Sequence, residues 1–170
     1  MKMNAAQFVK ALNDSGWVRE TNQDVQVTKA SSVKLPHEIE VLCSTYSILQ
    51  NPDETVWFYS KLDYNDAGGS AFEWNFFERS SLECALDESD RASVQDFWAK
   101  HIPFGASVAD GYSYIAFRLS DGAIVSGNEP EYEDSATVVA ASMESFFELF
   151  VSSIRGRASG VIARFLGIHE

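Results

Sequence analysis

The sequence is most informative over residues 112–126, which read YSYIAFRLSDGAIVS. Side chains alternate along residues 112–119, with Tyr112 and Tyr114 on one face and Ser113, Ile115, Phe117 and Leu119 on the other, as in a β-strand. Asp121-Gly122 then supplies the turn, because both residues tolerate a positive φ. This stretch therefore predicts a tyrosine-rich β-hairpin.

Neighbouring segments extend the hairpin into an antiparallel sheet. The chain returns along residues 123–126, and residues 102–106 are expected to pair alongside the hairpin as part of a meander. Other segments rich in β-branched and aromatic residues are predicted to be extended, and they are residues 24–28, 55–62, 71–74 and 137–139.

Helices are predicted where apolar residues recur at three- and four-residue spacing. Most of them begin at a residue type that caps helices or fits the first helical turn. The predicted helices are residues 4–13 with Asn4 as the cap, 36–50 opened by Leu35-Pro36 and closed at residues 51–53, 76–86, a short one capped by Ser89, a Phe-rich one capped by Ser142, and a last amphipathic piece within 155–170.

Length and composition favour one folded domain of the α+β class. The chain has 170 residues, of which 45% are hydrophobic and 22% charged, and this is ordinary globular usage. Such a composition excludes a mainly disordered chain, a collagen-like chain and a coiled-coil rod. We expect a mainly antiparallel β-sheet packed by N-terminal and C-terminal helices.

The formal net charge is −12, which bears on the class of partner. An acidic excess repels nucleic acid and anionic membranes and favours basic partners, although it also serves simple solubility. Acids dominate two windows, with seven acids and no Lys or Arg over residues 119–154, and eight acids against Lys61 over residues 35–78.

A locally basic segment follows the second acidic window, and it contains Arg155, Arg157 and Arg164. We expect these arginines to form ion pairs with acids of the sheet. The alternative is a site for an anionic ligand.

Motifs for catalysis, metals or cofactors are not found in the sequence. The three histidines lie in different predicted elements, and none has a partner at metal-ligand spacing. Neither a hydrolase serine elbow, a phosphate loop nor a dinucleotide fingerprint occurs. The sequence therefore predicts no enzyme, no metal and no cofactor.

The cysteines and the apolar segments of the sequence indicate the cellular compartment of the protein. Cys43 and Cys84 share no local motif, and no apolar run is long enough for a transmembrane helix. Polar residues interrupt the N-terminal stretch, so no signal peptide is expected. We expect a cytoplasmic protein with reduced thiols and no membrane contact.

Four stretches, in this order and spacing, resemble the SUKH superfamily, a group of bacterial immunity proteins that includes the yeast cell-wall assembly regulator domain. They are the helix start LPHEI at residues 35–39, IPFG at 102–105 followed by DGYSYI at 110–115, the hairpin turn SDGAIV at 120–125, and the closing helix start VAASMESFF at 139–147. The resemblance covers residues 35–152, with the helix at 4–13 and the segment at 155–170 as extensions.

This resemblance implies an α+β domain that is not an enzyme. It also implies an immunity protein that neutralises a cognate bacterial toxin by direct binding, and many such toxins are nucleases with basic grooves. The alternative is a regulatory or scaffold module that binds other proteins and has no toxin partner. A shared fold alone does not separate the two.

The expected contact surface combines acids with aromatic anchors, since aromatic residues are enriched at the centres of interfaces. Tyr112 and Tyr114 are the predicted anchors, and the alternative is that these tyrosines face the core or a helix. The acids predicted to contact a basic partner are Asp63, Asp66, Glu129, Glu131, Glu133 and Asp134.

Overall fold

A computed structural model describes residues 2–21, 33–65, 73–158 and 160–169. The elements of this structure are α1 (Ala5–Asp14), β1 (Val18–Glu20), α2 (His37–Cys43), β2 (Ile48–Gln50), β3 (Val56–Phe58), α3 (Phe76–Cys84), α4 (Glu88–Lys100), β4 (His101–Ser107), β5 (Ser113–Arg118), β6 (Ile124–Asn128), β7 (Thr137–Ala140), α5 (Met143–Ser152), a π-helical turn (Ser153–Arg157) and α6 (Gly160–Phe165). The strand predicted at residues 24–28 lies outside the described residues.

The strands form one seven-stranded sheet in the order β1 to β7, and every neighbouring pair is antiparallel. The predicted hairpin is confirmed as β5 and β6, with Phe117 opposite Ile124 next to the turn. Gly122 has a φ of +75°, the left-handed conformation for which a glycine was expected. The helices together with this antiparallel sheet confirm the predicted α+β class.

Helices cover both faces of the sheet. On one face the ring of Tyr114 meets Trp98 of α4, with ring centroids 4.9 Å apart. On the other face Phe104 lies 5.5 Å from Phe146 of α5, and Phe58 lies 5.4 Å from Phe8 of α1. Because helices cover both faces, all seven residues of β4 are buried.

Side-chain caps begin α1 and α5 where the sequence predicted them. The side chain of Asn4 accepts a hydrogen bond from the backbone of Gln7, and the side chain of Gln7 accepts one from the backbone of Asn4. Ser142 and Ser145 form the equivalent pair at the start of α5. Each pair satisfies backbone N–H groups that have no partner within the helix.

The predicted helix over residues 36–50 is too long, because α2 ends at Cys43. Hydroxyl groups close its last turn: Ser44 donates to the carbonyl of Glu40 at 2.6 Å, and Thr45 donates to that of Leu42 at 2.8 Å. The chain then enters β2, which pairs with β1 and β3. Pairing with distant strands overrides the local apolar spacing.

Two smaller predictions also need correction. Asp87 rather than Ser89 caps α4, since its carboxylate accepts the backbone N–H of Asp90 at 2.9 Å. Trp74 lies in a turn and not in an extended segment, while residues 71 and 72 lie outside the described residues.

Candidate protein-binding groove

The connection between β6 and β7 carries most of the predicted acids, and residues 129–134 are called the acidic loop below. Tyr132 at its middle is buried, and its ring lies 5.0 Å from that of Phe77. The hydroxyl of Tyr114 donates to the carbonyl of Tyr132 at 2.7 Å. The indole N–H of Trp98 donates to the carboxylate of Glu133 at 2.6 Å. The sheet and α4 therefore hold the middle of the acidic loop in place.

Hydrogen bonds also fix both ends of the acidic loop. Glu129 accepts the backbone N–H of Tyr112 at 3.0 Å, which ties the start of the loop to β5. At the other end the hydroxyl of Ser135 accepts the N–H of Asn128 at 2.9 Å and donates to its carbonyl at 3.0 Å. Because these bonds use main-chain groups, the loop presents its carboxylates from a defined backbone.

An open groove of about 740 Å³, called the acidic groove below, separates the acidic loop from α4 and the end of α3. Five carboxylates line it, and they are Asp90 and Asp96 of α4 with Glu131, Glu133 and Asp134 of the loop. Among its described lining residues Lys100 is the one lysine or arginine, and it is paired with Asp96 at 2.7 Å. Five carboxylates against one ammonium group give this lining a net negative formal charge.

Two of these carboxylates are free to meet a partner. Neither Glu131 nor Asp134 forms a hydrogen bond or an ion pair through its side chain with any part of the chain that the structure describes, and both residues are exposed. Close by, burial raises the pKa of Glu78, and the charge of Glu133 adds to this rise. Loss of hydration disfavours the charged form of the Glu78 carboxyl group, and the nearby negative charge acts in the same direction.

Apolar and aromatic groups share the groove with the acids. Leu86 at the corner between α3 and α4 is 92% exposed, and Val94, Phe97 and Pro130 also border the groove. A surface that combines exposed apolar groups with charged groups is suited to a protein partner.

His101 is the first residue of β4, directly after α4, and it lines the same groove. Its Nδ1 is 2.8 Å from the carbonyl of Phe97, so Nδ1 carries the hydrogen and donates it. Its ring stacks on that of Phe97 with centroids 4.0 Å apart. Burial lowers the pKa of His101, and the charges of Arg118 and Lys100 act in the same direction.

The six predicted contact acids do not all lie together. Glu131, Glu133 and Asp134 meet in the acidic groove, and Glu129 is exposed at the start of the loop. Asp63 lies elsewhere, where its carboxylate accepts the N–H of Ser60 at 2.7 Å and closes a turn. Asp66 lies outside the described residues.

The two predicted aromatic anchors differ. Tyr112 is 39% exposed and packs against Phe76, with ring centroids 5.8 Å apart. Tyr114 has no exposed surface, so the prediction that its ring contacts a partner is corrected. Its ring is covered because α3 and α4 pack on that face of the sheet.

Sequence reasoning missed the α4 side of the groove. Asp90 and Asp96 fall in residues 79–118, which the charge windows did not cover. The available signal was a predicted helix that carries Asp90 and Asp96 in the sequence beside Val94 and Phe97. Contact with the acidic loop depends on packing across more than thirty residues of chain, as the bond from Trp98 to Glu133 spans 35 positions.

The C-terminal arginines do not behave as predicted. Arg155, Arg157 and Arg164 form no ion pair with any acid of the described residues. Arg155 and Arg157 instead border a small pocket of about 340 Å³ beside α5. The expectation that they pair with acids of the sheet is therefore wrong.

Comparisons with family models, curated proteins and solved structures found no match to this chain. Over the described ranges, no group of three or more His, Cys, Asp and Glu residues is placed to hold a metal ion. Every helix within those ranges is too short or too polar to cross a membrane.

Proposed function

We propose that this chain is a non-enzymatic protein-binding domain that holds a basic partner protein in the acidic groove. The carrying observation is the placement of Glu131, Glu133 and Asp134 on a hydrogen-bonded loop opposite Asp90 and Asp96. Like charges held this close repel one another, and a cationic partner relieves that repulsion when it binds.

The electrostatics favour a protein over other partners. A nucleic acid or an anionic membrane would bring phosphates toward the carboxylates and would be repelled. The exposed side chain of Leu86 and the ring of Phe97 supply apolar area that a protein surface can cover. Charge complementarity of this kind acts mainly on the rate of association.

The resemblance to the SUKH superfamily suggests which kind of partner this chain binds. On that basis the partner is a cognate bacterial toxin, and the chain is its immunity protein in the cytoplasm. A nuclease toxin must carry a basic surface to bind phosphates, so the acidic groove would compete for that surface. Binding there would block the toxin without any chemistry by this chain.

The test uses the toxin-like domain encoded next to this gene, purified and mixed with the full chain. Association and dissociation rates are measured across a salt series for the wild type and for the triple variant E131Q/E133Q/D134N. The control is E20Q/D53N/E54Q, which makes the same charge change at exposed acids near β1 and β3, far from the acidic loop in the order of the sheet.

We expect added salt to slow association of the wild type, because the Debye length falls from about 10 Å at 0.1 M to about 3 Å at 1 M. The groove variant should associate roughly ten-fold more slowly at low salt and depend less on salt, while the control stays close to the wild type. A toxin that binds equally fast to all three proteins at every salt concentration would contradict the proposal. The lack of any toxin-like gene nearby would favour the regulatory or scaffold alternative.

A further inference from the structure

We infer that this chain has a second binding site, which takes a small phosphate ester and holds its phosphate group with Arg155 and Arg157. The site is the pocket of about 340 Å³ at the C-terminal end of α5, called the arginine pocket below. Its lining residues are Met3, Glu148, Val151, Ser152, Arg155 and Arg157. The arginine pocket is separate from the acidic groove, because α5 and α4 pack on opposite faces of the sheet.

Two guanidinium groups at this pocket are available to a ligand. Neither Arg155 nor Arg157 forms a hydrogen bond or an ion pair through its side chain with any residue that the structure describes, and both are exposed. They remain unpaired although the chain has 25 acids against 13 lysines and arginines. The planar fork of N–H donors on a guanidinium group matches the oxygen atoms of a phosphate group.

The kink after α5 brings the two arginines to one pocket. In a regular α-helix, side chains two positions apart point about 200° away from each other around the helix axis. Arg155 has φ −90° and ψ 17°, and Gly156 has φ +91° and ψ 16°, so the chain leaves the helical conformation between the two arginines. Glycine adopts this positive φ without strain. The sequence Arg-Gly-Arg therefore lets both side chains line the same pocket.

The other lining residues suit a small organic phosphate. Ser152 is half-buried, and its hydroxyl has no hydrogen-bond partner among the described residues, so it can donate to a ligand oxygen. Met3 and Val151 give the pocket an apolar wall. Its volume lies near the lower end of the range of about 300–1,000 Å³ that is usual for small-molecule sites. The pocket can therefore hold a phosphate group together with a small organic group.

Negative charge around the pocket makes both arginines necessary. The formal net charge of the chain is −12, so an anion is repelled except where positive charge is concentrated. Glu148 lines the pocket, and the negative end of the α5 dipole acts against an anion as well. Two guanidinium groups and one carboxylate give the lining a formal charge of 2 − 1 = +1. Loss of either arginine would bring this charge to zero.

The experiment titrates the full chain with glycerol phosphate, inorganic phosphate and acetate at constant ionic strength and neutral pH. Binding is followed by the ¹H–¹⁵N signals of the arginine Nε–H groups. We expect the signals of Arg155 and Arg157 to shift with glycerol phosphate, with a Kd of about 1 mM, while that of Arg164 stays in place. Inorganic phosphate should bind no more tightly than the ester, and acetate about five-fold more weakly than the ester, because a carboxylate carries one negative charge and fewer oxygen acceptors.

Variants then separate the site from general charge effects. R155Q and R157Q should each weaken the binding of glycerol phosphate about ten-fold, since each removes a charge-assisted hydrogen-bonding group. The matched control is R164Q, which removes the same charge from an exposed, unpaired arginine of α6 that does not line the pocket. E148Q should tighten binding about three-fold, because it removes the carboxylate that repels the phosphate. Thermal unfolding without ligand checks that each variant remains folded.

Equal weakening in R155Q, R157Q and R164Q would overturn the inference, because it would show a general effect of charge. Glycerol phosphate that shifts neither arginine signal, or acetate that binds as tightly as the ester, would overturn it as well. None of these results decides the proposed function, which is judged by the association rate of the protein partner at the acidic groove and its dependence on salt.

Discussion

Replacing Gly127 by alanine tests how tightly the acidic loop is attached to the sheet. Gly127 lies on β6 directly opposite Tyr114. A Cβ atom at this position would lie 2.5 Å from the hydroxyl oxygen of Tyr114 and would also collide with the carbonyl oxygen of Tyr132. These two groups form the 2.7 Å hydrogen bond that holds the loop, so the added methyl group would force them to move.

The expected loss of stability follows from these contacts. Overpacking of a buried site costs about 1–3 kcal/mol, and disturbing a buried hydrogen bond costs about 1 kcal/mol more. The lower chain entropy of alanine offsets roughly 0.5–1 kcal/mol of this. We therefore expect G127A to lower the free energy of unfolding by about 2–3 kcal/mol, and the midpoint of thermal unfolding by roughly 4–12 °C.

Urea denaturation of G127A, Y114F and the double variant measures the effect. Y114F alone should cost about 1 kcal/mol, because it leaves the carbonyl of Tyr132 without its main donor. G127A should then cost less in the Y114F background than alone, since the collision with the hydroxyl oxygen is gone while those with the carbonyl of Tyr132 and the ring of Tyr114 remain.

The matched control is G105A, whose Cβ would lie 3.1 Å from a carbon of the Phe58 ring and which should cost less than G127A. The reasoning is refuted if G127A is within about 0.5 kcal/mol of the wild type. Strictly additive effects of G127A and Y114F would also refute it.

Three further outcomes are expected. Under native conditions a thiol reagent should modify Cys84, which is exposed, and spare Cys43, which is buried and whose pKa burial raises to about 11; denaturation should make both react. S142A should destabilise the protein by about 1 kcal/mol in urea denaturation because it removes the cap of α5, whereas S152A, which removes no cap hydrogen bond, should change the free energy of unfolding much less. Because burial lowers the pKa of His101 below 6.5, the unfolded chain binds the proton first, so the free energy of unfolding should fall as the pH drops from about 6.5 through the folded pKa. H101Q should show a smaller fall, and an unchanged slope in denaturation measured over this pH range would exclude His101 as its source.

Local signals in the sequence were enough to predict the hairpin and the starts of α1 and α5. The turn at Asp121-Gly122 joins strands that are neighbours in the chain, so its chemistry and the alternation of β5 act within a few residues. The caps at Asn4 and Ser142 likewise bond residues three positions away. Such features depend little on the rest of the fold, which is why they can be read from the sequence alone.

Only the tertiary structure decided where α2 ends and whether the ring of Tyr114 is buried. Leu49 fits a helical spacing in the sequence, but pairing of β2 with β1 and β3 places it in a strand. The alternation of β5 assigns Tyr114 to one face of the sheet and cannot tell whether that face is covered. Packing of α3 and α4 buries it, because a sheet with apolar groups on both faces must be covered on both.

For the acidic groove too, the sequence determined one part and the tertiary structure the other. The sequence by itself determined that Glu131, Glu133 and Asp134 lie together in one short loop, because they are neighbours in the chain. It could not place Asp90 and Asp96 opposite them, since that contact arises when α4 packs on the sheet and Trp98 bonds to Glu133. The concentration of charge that defines the acidic groove is therefore a product of packing between segments distant in the chain.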